Sequence, residues 1–125
     1  MKPILLISYL HLSGGPPPTA DRVEDVRDRL RDPARAQGIL DLTGLHPRVQ
    51  DIVETTPGAR ELLDNLADYA ALSADPRRIA IGCAGGKHRA VALVELLGRR
   101  LRADGRELAI EHRHVRFPRV LKESS

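Results

Sequence analysis

The sequence predicts a small α/β domain, with helices packed on a parallel or mixed sheet. A compact apolar run at Ile79–Ile81 precedes a glycine-rich loop and then an amphipathic helical pattern, which is the order strand, loop, helix. A second short apolar run lies near the start of the chain, and a partly alternating segment lies near its end. Strands separated by helical segments are typical of α/β folds.

Length and composition fit one domain over residues 1–125, with an ordered core over about 3–116 and a basic tail over 117–125. Of the 125 residues, 42% are hydrophobic and 30% charged, which suffices for one core but not for two. A single cysteine cannot form an internal disulfide, so a reducing cytoplasm is the expected location. No stretch approaches the roughly 20 apolar residues of a membrane span.

The first predicted strand is Ile4–Tyr9, an apolar run that follows Pro3 and precedes the Ser-Gly-Gly-Pro-Pro-Pro segment of residues 13–18. The next segment, Thr19–Asp32, is ambiguous. Its valines and leucine fit a helical spacing, but part of it fits a short strand equally well. Periodicity alone does not decide between the two.

Two successive helices are predicted after a turn-like stretch around Gly44. Arg48–Thr55 and Ala59–Leu72 both carry apolar residues at helical spacing, and Pro57 occupies a plausible first helical position of the second. After the Ile79–Ile81 strand and its loop, apolar spacing predicts a third helix from Ala90 up to a stop at Asp104-Gly105. A last strand is predicted over Leu108–Val115.

The loop between the third predicted strand and the third helix reads Gly-Cys-Ala-Gly-Gly-Lys-His-Arg. Backbone N–H groups at a helix start favour anions, and glycines let the backbone approach them closely. A lysine, a histidine and an arginine then add side-chain donors for phosphate oxygens. The loop is not a Walker loop, because His88 stands where Ser or Thr is required after the lysine. We therefore predict a phosphate site, with no further cofactor, formed by Cys83, Ala84, Gly85, Gly86, Lys87, His88 and Arg89. The alternative is a tight turn that merely packs the helix on the strand.

A different interpretation of this loop is enzymatic. Cys83 and Arg89 have the Cys-x5-Arg spacing by which phosphatases place a thiolate beneath a bound phosphate. Asp25 or Asp32 would then protonate the leaving group. Two positions depart from that pattern: Gly82 stands where histidine is usual, and an alanine follows Arg89 where a hydroxyl is usual. The opposing interpretation makes Cys83 a small buried hydrophobe at a strand end.

Charge is unevenly distributed along the chain. Residues 1–76 carry a net −4 and residues 77–125 a net +7, which fits a polyanionic partner. Compositional drift is an equal explanation, since arginine outnumbers lysine seventeen to three. With three aromatic residues in the chain, base stacking is disfavoured and RNA binding would be electrostatic. The candidate RNA contacts are Arg99, Arg100, Arg102, Arg113, Arg116 and Arg119.

The histidines outside the loop give weaker signals. His112 and His114, two apart on the last predicted strand, would point the same way and suit a metal, but no third ligand is evident. A basic surface with Arg113 and Arg116 is the favoured interpretation. His11 and His46 are predicted to lie in loops or on the surface.

The segment Ile79–Glu95, IAIGCAGGKHRAVALVE, resembles the signature of the C-terminal domain of the RapZ family of RNase adapter proteins, which runs close to IGCTGGxHRS before a helix. Further segments resemble the family in the same order. These are Asp25-Val26-Arg27, Leu42-Thr43-Gly44-Leu45 and His112-Arg113-His114. The resemblance covers the chain from about Ile7 to Val115 and is far more specific than any single motif.

The resemblance implies a regulatory or adapter domain that binds small regulatory RNA and senses glucosamine-6-phosphate. In full-length relatives it follows an N-terminal P-loop domain. This chain holds no Walker segment, so we expect a stand-alone domain that binds ligands rather than hydrolysing nucleotides. The implied partners are a phosphorylated small molecule, RNA, a separate P-loop protein or RNase, and further copies of the chain in a homo-oligomer, with no membrane.

Residue by residue, the family's phosphosugar loop corresponds here to Cys83, Gly85, Gly86, His88 and Arg89. Ala84 replaces its threonine and Ala90 its serine. Such losses of polar groups affect the identity of the sugar more than the binding of an anion.

In two early loops, this chain also lacks the residues that the family has. Residues 31–34 stand in place of Asn-Pro-His, and residues 10–14 in place of Gly-Phe-Lys-Tyr-Gly. The resemblance nevertheless favours a strand over Arg22–Arg27. Asp25 and Arg27 would then lie near the glycine loop, either lining the pocket or forming a structural ion pair.

Overall fold

The computed structural model describes residues 3–10, 17–26, 42–72, 77–83 and 88–114. Within these ranges four parallel strands form one sheet in the order β2-β3-β1-β4. The strands are β1 (Ile4–Leu10), β2 (Arg22–Asp25), β3 (Arg77–Cys83) and β4 (Leu108–His112). The helices are α1 (Pro47–Glu54), α2 (Ala59–Ala71) and α3 (Arg89–Ala103). The predicted α/β class is confirmed, with a sheet that is wholly parallel in the described part of the chain.

One face of the sheet carries the main core. Side chains alternate between the two faces along a strand, so Ile4 and Leu6 of β1 and Ile79 and Ile81 of β3 point to the same side. They pack there with α3, whose buried residues surround most of its circumference. Helices α1 and α2 contribute to the same core, which places α3 between the sheet and the other two helices.

The second face of the sheet has a smaller buried cluster of Ile7, Tyr9 and Ala80. Ala20, which precedes β2, packs against this cluster. The chain between β1 and β2 therefore arrives on the face opposite α3. No helix in the described ranges is long and apolar enough to cross a membrane.

The ambiguous segment Thr19–Asp32 contains the strand that the resemblance favoured. Strand β2 occupies Arg22–Asp25 and pairs in parallel with β3. Val23 is exposed while Glu24 is buried, which is why hydrophobic spacing gave no clear signal here. The part of the segment beyond Val26 lies outside the described residues.

Both predicted helices of the middle region are confirmed, but the role of Pro57 was wrong. Pro57 lies in the turn before α2, and Gly58 is the N-cap with a φ of 92°, a left-handed conformation that suits glycine. It is Pro47 that occupies a first helical position, at the start of α1. The last strand ends at His112, earlier than expected, and α3 stops at the predicted Asp104-Gly105 turn.

Candidate functional site

The carboxyl ends of β1, β2 and β3 lie side by side because these strands are parallel. Leu10 is paired with Cys83, and Asp25 with Gly82. The connections that follow the adjacent strands β1 and β3 run toward opposite edges of the sheet. Strand β1 is followed by β2 at one edge, and β3 is followed by β4 at the other. Right-handed crossovers put two such connections on opposite faces, in agreement with the positions of Ala20 and α3. A crevice at the carboxyl ends of such a strand pair is the usual ligand position in open α/β sheets.

Helix α3 begins at this edge. It starts at Arg89 with His88 as the N-cap, and both residues are only 5% exposed. The amide of Ala90 donates to Sγ of Cys83 over 3.4 Å. Cys83 is therefore beneath the first turn of the helix, where the positive end of the helix dipole favours negative charge.

The guanidinium of Arg89 links this helix start to β2. Its Nη1 donates to the carbonyl oxygen of Val26 at 3.1 Å. The Val26 amide in turn donates to the carbonyl of Gly82 at 2.9 Å, so the residue that follows β2 is fixed to β3. The structure thus brings a buried cation, a thiol and the end of β2 together at one edge of the sheet.

A further element of this edge is the loop at residues 42–46. The Cα of Gly44 lies so close to α3 that a Cβ there would come within 2.3 Å of the Ala92 nitrogen and 2.6 Å of the His88 oxygen. The carbonyl of Gly44 accepts a hydrogen bond from Nε2 of Gln50 at 2.9 Å. Sequence reasoning predicted a turn around Gly44 and missed this contact. The sequence feature that could have indicated the contact is the Leu-Thr-Gly-Leu element at residues 42–45.

The carboxyl end of β1 is held by His112, the last residue of β4, and by His114 beyond it. Nε2 of His112 is hydrogen-bonded to Oε2 of Glu95 at 2.7 Å, and its Nδ1 is hydrogen-bonded to the hydroxyl of Ser8, also at 2.7 Å. Nδ1 of His114 accepts from the amide of Leu10 at 2.9 Å. Burial, followed by the charge of Arg113, lowers the pKa of His114 below its ordinary value.

The expectation for these two histidines was wrong in two respects. His114 lies beyond β4 rather than on it, and both side chains are half-buried with internal hydrogen bonds instead of forming an open basic surface. These hydrogen bonds connect the end of β4 to β1 and α3, and His114 to β1. His46 is exposed before α1, as predicted, and caps that helix by accepting from the Arg48 amide at 3.1 Å.

Part of the predicted phosphate site is described and part is not. Cys83, His88 and Arg89 share the edge described above, with Asp25 at the end of the neighbouring strand. The rest of this loop and some of the other residues named from the sequence lie outside the described ranges. They are Ala84, Gly85, Gly86 and Lys87 of the loop, His11, Arg27 and Asp32, and Arg116 and Arg119 of the basic segment.

Several arginines predicted to contact RNA have partners within the chain. Arg99 donates to Oε1 of Gln50 at 2.6 Å, and Arg113 pairs with Glu111 at 2.7 Å. Arg100 pairs with Asp64, and this hydrogen bond raises the pKa of the arginine above its ordinary value. Arg102 is exposed near the end of α3. Part of the positive charge therefore serves intramolecular contacts.

Two arginines that the sequence did not single out also have a structural role. Arg77 donates to the carbonyl of Tyr69 at 2.8 Å, and Arg106 to that of Ala70 at 2.6 Å. Both carbonyls belong to the last turn of α2, which has no basic residue of its own. Positive groups at a helix C-terminus stabilise it, so Arg77 from the next strand and Arg106 from further along the chain both cap α2.

The sequence of this chain also matches a known protein family. Residues 2–116 match the family model described as RapZ C-terminal domain. The chain belongs to the RapZ C-terminal domain family. The sequence-based resemblance is thereby confirmed, and the match includes every described strand and helix.

Relatives of this RapZ C-terminal domain come from several bacteria. A "Nucleotide-binding protein" of Acidiphilium cryptum is 41% identical over 124 residues, which cover 90% of this chain and 39% of the relative. A nucleotide-binding protein of Streptomyces coelicolor is 40% identical, covering 81% and 36%. One of Mycobacterium tuberculosis is 42% identical, covering 80% and 35%. The chain thus spans less than two fifths of the length of these relatives.

Proposed function

We propose that this domain binds a phosphorylated small molecule in the crevice at the carboxyl ends of β1 and β3, with the phosphate at the amino end of α3. The observation that carries the proposal is the buried Arg89 at the first position of α3, beside the ends of the parallel strands. Helix dipole, backbone amides and guanidinium then act on one anion.

The position of Arg89 suits this task physically. A guanidinium has five N–H donors in a planar fork, so it can hold the Val26 carbonyl and a phosphate oxygen at once. Hydrogen bonds between charged partners are roughly twice as strong as neutral ones, and burial reduces the competition from water. His88 adds a titratable ring at the helix start.

Two classes of ligand are candidates for this site, and each is favoured by a different observation. The family resemblance favours an amino-sugar phosphate such as glucosamine-6-phosphate. The relatives are named as nucleotide-binding proteins, which favours a nucleotide. Both carry a phosphate that the start of α3 would bind, and they differ in what the remaining crevice must contact.

Titration calorimetry with inorganic phosphate, glucosamine-6-phosphate, glucose-6-phosphate and a nucleotide tests the proposal and ranks the ligand classes. Arg89→Ala is expected to weaken phosphate binding about ten- to a hundredfold, because a charge-assisted contact contributes on the order of 1.5–3 kcal/mol. Arg102→Ala, an exposed arginine near the far end of the same helix, is the matched control and should bind like the wild type. Unchanged binding in Arg89→Ala would rule out this site.

A second candidate is a cysteine-dependent phosphatase. The hydrogen bond from the Ala90 amide to Cys83 favours it, since a thiolate at a helix start is stabilised by such a donor. In that mechanism the thiolate attacks phosphorus, and Asp25 at the end of β2 protonates the leaving group. Cys83 is only 2% exposed, and Ala90 supplies no hydroxyl to assist the second step, which is why ligand binding is our first proposal.

The partner side of the proposal rests on the family resemblance. We infer that the domain acts as a regulatory adapter toward RNA, a P-loop protein or an RNase, and that it does so as a homo-oligomer. Exposed Arg102 is the described residue that suits an RNA contact best, because Arg99, Arg100 and Arg113 have partners within the chain. Weak contacts of this kind gain affinity when several copies act together.

A further inference from the structure

We propose that Gly44 is a positioning residue for the phosphate site. The loop at residues 42–46, here called the 42–46 loop, fixes the first turn of α3 and thereby the orientation of His88 and Arg89 toward the anion. This inference rests on the proposed function, since it assigns the group that sets the geometry of that site. Gly44 itself contacts the backbone of α3.

The contact between Gly44 and α3 leaves no room for a side chain. A Cβ at this position would lie 2.3 Å from the Ala92 nitrogen, 2.6 Å from the His88 oxygen and 2.8 Å from Cβ of Val91. The first two atoms form the hydrogen bond that closes the first turn of α3, from the Ala92 amide to the His88 carbonyl at 2.9 Å. Because these are backbone atoms, no change of rotamer relieves the clash. Either the loop or the helix start must move.

The 42–46 loop is itself anchored, which directs the displacement to the helix start. Its Gly44 carbonyl is held by Nε2 of Gln50, a residue of α1 that is only 6% exposed. Oε1 of the same amide accepts from Arg99, three turns further along α3. The loop is thus connected to α3 at its first turn and again through Gln50 and Arg99. Buried polar groups with both bonds satisfied resist movement, because each bond that breaks leaves an unsatisfied group.

A displaced first turn would change the groups proposed to bind phosphate. Arg89 reaches the Val26 carbonyl at 3.1 Å from the first position of the helix, and hydrogen bonds weaken steeply once distance and angle depart from their optimum. The backbone amides at the helix start move with it. Binding sites depend on supporting residues that hold the contacting groups within about half an ångström.

The experiment is a titration of the ¹⁵N-labelled chain with inorganic phosphate, followed by the amide signals of Arg89 and Ala90. Gly44→Ala is expected to weaken binding about tenfold or more, the loss that corresponds to one charge-assisted contact. Gly98→Ala in the same helix is the matched control. A Cβ there meets side-chain methyls of Ile110 at 3.0 Å and Leu108 at 3.5 Å, which can adjust, so binding should stay within about twofold of wild type.

Gln50→Met keeps the inference testable if Gly44→Ala does not fold. It removes the side-chain bonds to the Gly44 carbonyl and to Arg99, which together anchor the 42–46 loop, so phosphate affinity should fall about threefold or more while the far-ultraviolet circular dichroism is unchanged. Titrations are run well below each melting temperature, where a loss of global stability alone does not change affinity. Hydrogen exchange of the Ala92 amide, measured without phosphate, should accelerate in both variants.

The outcomes separate the inference from the proposed function. Wild-type Kd values in both folded variants would overturn the positioning role, as would unchanged Ala92 exchange. If wild-type protein shows no shift at Arg89 and Ala90 with any phosphate concentration, the phosphate site itself is wrong and its positioning falls with it. In that case accelerated Ala92 exchange would still show that the 42–46 loop holds the helix start.

Discussion

Arg89 and Val26 are joined by a hydrogen bond of 3.1 Å that ties the first residue of α3 to the residue that follows β2. Both are buried, with Val26 fully inaccessible. The arginine therefore supports the structure of the edge at which we place the ligand. Because this side chain has a structural contact as well as a proposed ligand contact, its effect on stability has to be measured without ligand, apart from its effect on binding.

The first prediction concerns stability. Arg89→Ala should lower the free energy of unfolding by about 1–3 kcal/mol, because the buried carbonyl of Val26 loses a donor. Urea denaturation without ligand measures this. Arg102→Ala, which is exposed, should stay within about 0.5 kcal/mol of wild type. Equal stability of the two variants would mean that the Val26 bond contributes nothing to the fold.

A second prediction concerns the hydrogen-bonded series Ser8, His112 and Glu95. His112→Leu leaves the fully buried Ser8 hydroxyl without this partner and should cost about 1–3 kcal/mol of unfolding free energy. Adding Ser8→Ala to that variant removes the unsatisfied hydroxyl. The double variant is therefore expected to be as stable as His112→Leu or more stable, which urea denaturation of the wild type, His112→Leu, Ser8→Ala and the double variant would show. Independent, additive losses would contradict the coupling.

A third prediction is the pH dependence of the His114 contact. Because Nδ1 accepts the Leu10 amide, the neutral ring is the form that bonds, and the folded pKa lies below the unfolded value near 6.5. The unfolded chain then binds more protons in this range. The stabilisation is fully present above about pH 6.5 and is lost as the pH falls toward the lower folded pKa.

The measurement is a set of urea midpoints for wild type and His114→Gln between about pH 5 and 8. Wild type should lose more stability over the acid part of this range, since glutamine does not titrate. Because the two proteins are otherwise identical, the difference between their curves isolates the contribution of His114. Parallel curves would show that His114 does not change its proton affinity on folding.

A fourth prediction separates binding from catalysis. With Ala90 in place of a hydroxyl and Cys83 buried, we expect little turnover of para-nitrophenyl phosphate and no appreciable hydrolysis of nucleoside triphosphates. Phosphate release assays on wild type and Cys83→Ser decide this. Robust activity that disappears in Cys83→Ser while phosphate still binds would establish the phosphatase mechanism in place of a binding module.

A fifth prediction concerns RNA. Binding through arginines with few aromatic residues should be mainly electrostatic, and with four phosphate contacts the affinity would fall roughly fiftyfold between about 50 and 200 mM salt. Gel shifts with structured and unstructured RNA at the two salt concentrations measure it, on protein whose oligomeric state has been determined. An absence of binding at the lower salt would reduce the basic half of the chain to compositional drift and intramolecular pairing.

Local sequence was sufficient for the elements whose residues are neighbours in the chain. The strand at Ile79–Ile81 and the helix that follows were predictable because hydrophobic spacing and glycine position are local signals. Strand β2 was not, since its exposed Val23 and buried Glu24 reverse the usual pattern at a short strand. The resemblance to a family, rather than periodicity, identified it.

The site was predictable only in part because its geometry depends on distant residues. Ser8 and His112 are 104 positions apart, and nothing in either local sequence indicates that they meet. The same holds for Gly44 against the start of α3 and for Gln50 beneath Arg99. The number of arginines in the sequence is a misleading guide to an RNA-binding surface, because several of those arginines bind acidic and amide groups of the same chain.

The strand order has a consequence for how the chain folds. Strand β1 comes first in the sequence but lies inside the sheet, where Ile4 pairs with Arg77 on one side and Leu108 on the other. Its partner strands β3 and β4 therefore come much later in the sequence. Pairing them with β1 closes large loops, which slows folding. A chain that ended after α3 would leave the backbone N–H and C=O groups along one edge of β1, a strand of mostly apolar residues, without their β4 neighbour. Such an edge pairs readily with other molecules, so incomplete chains of this domain are expected to aggregate rather than to persist as monomers.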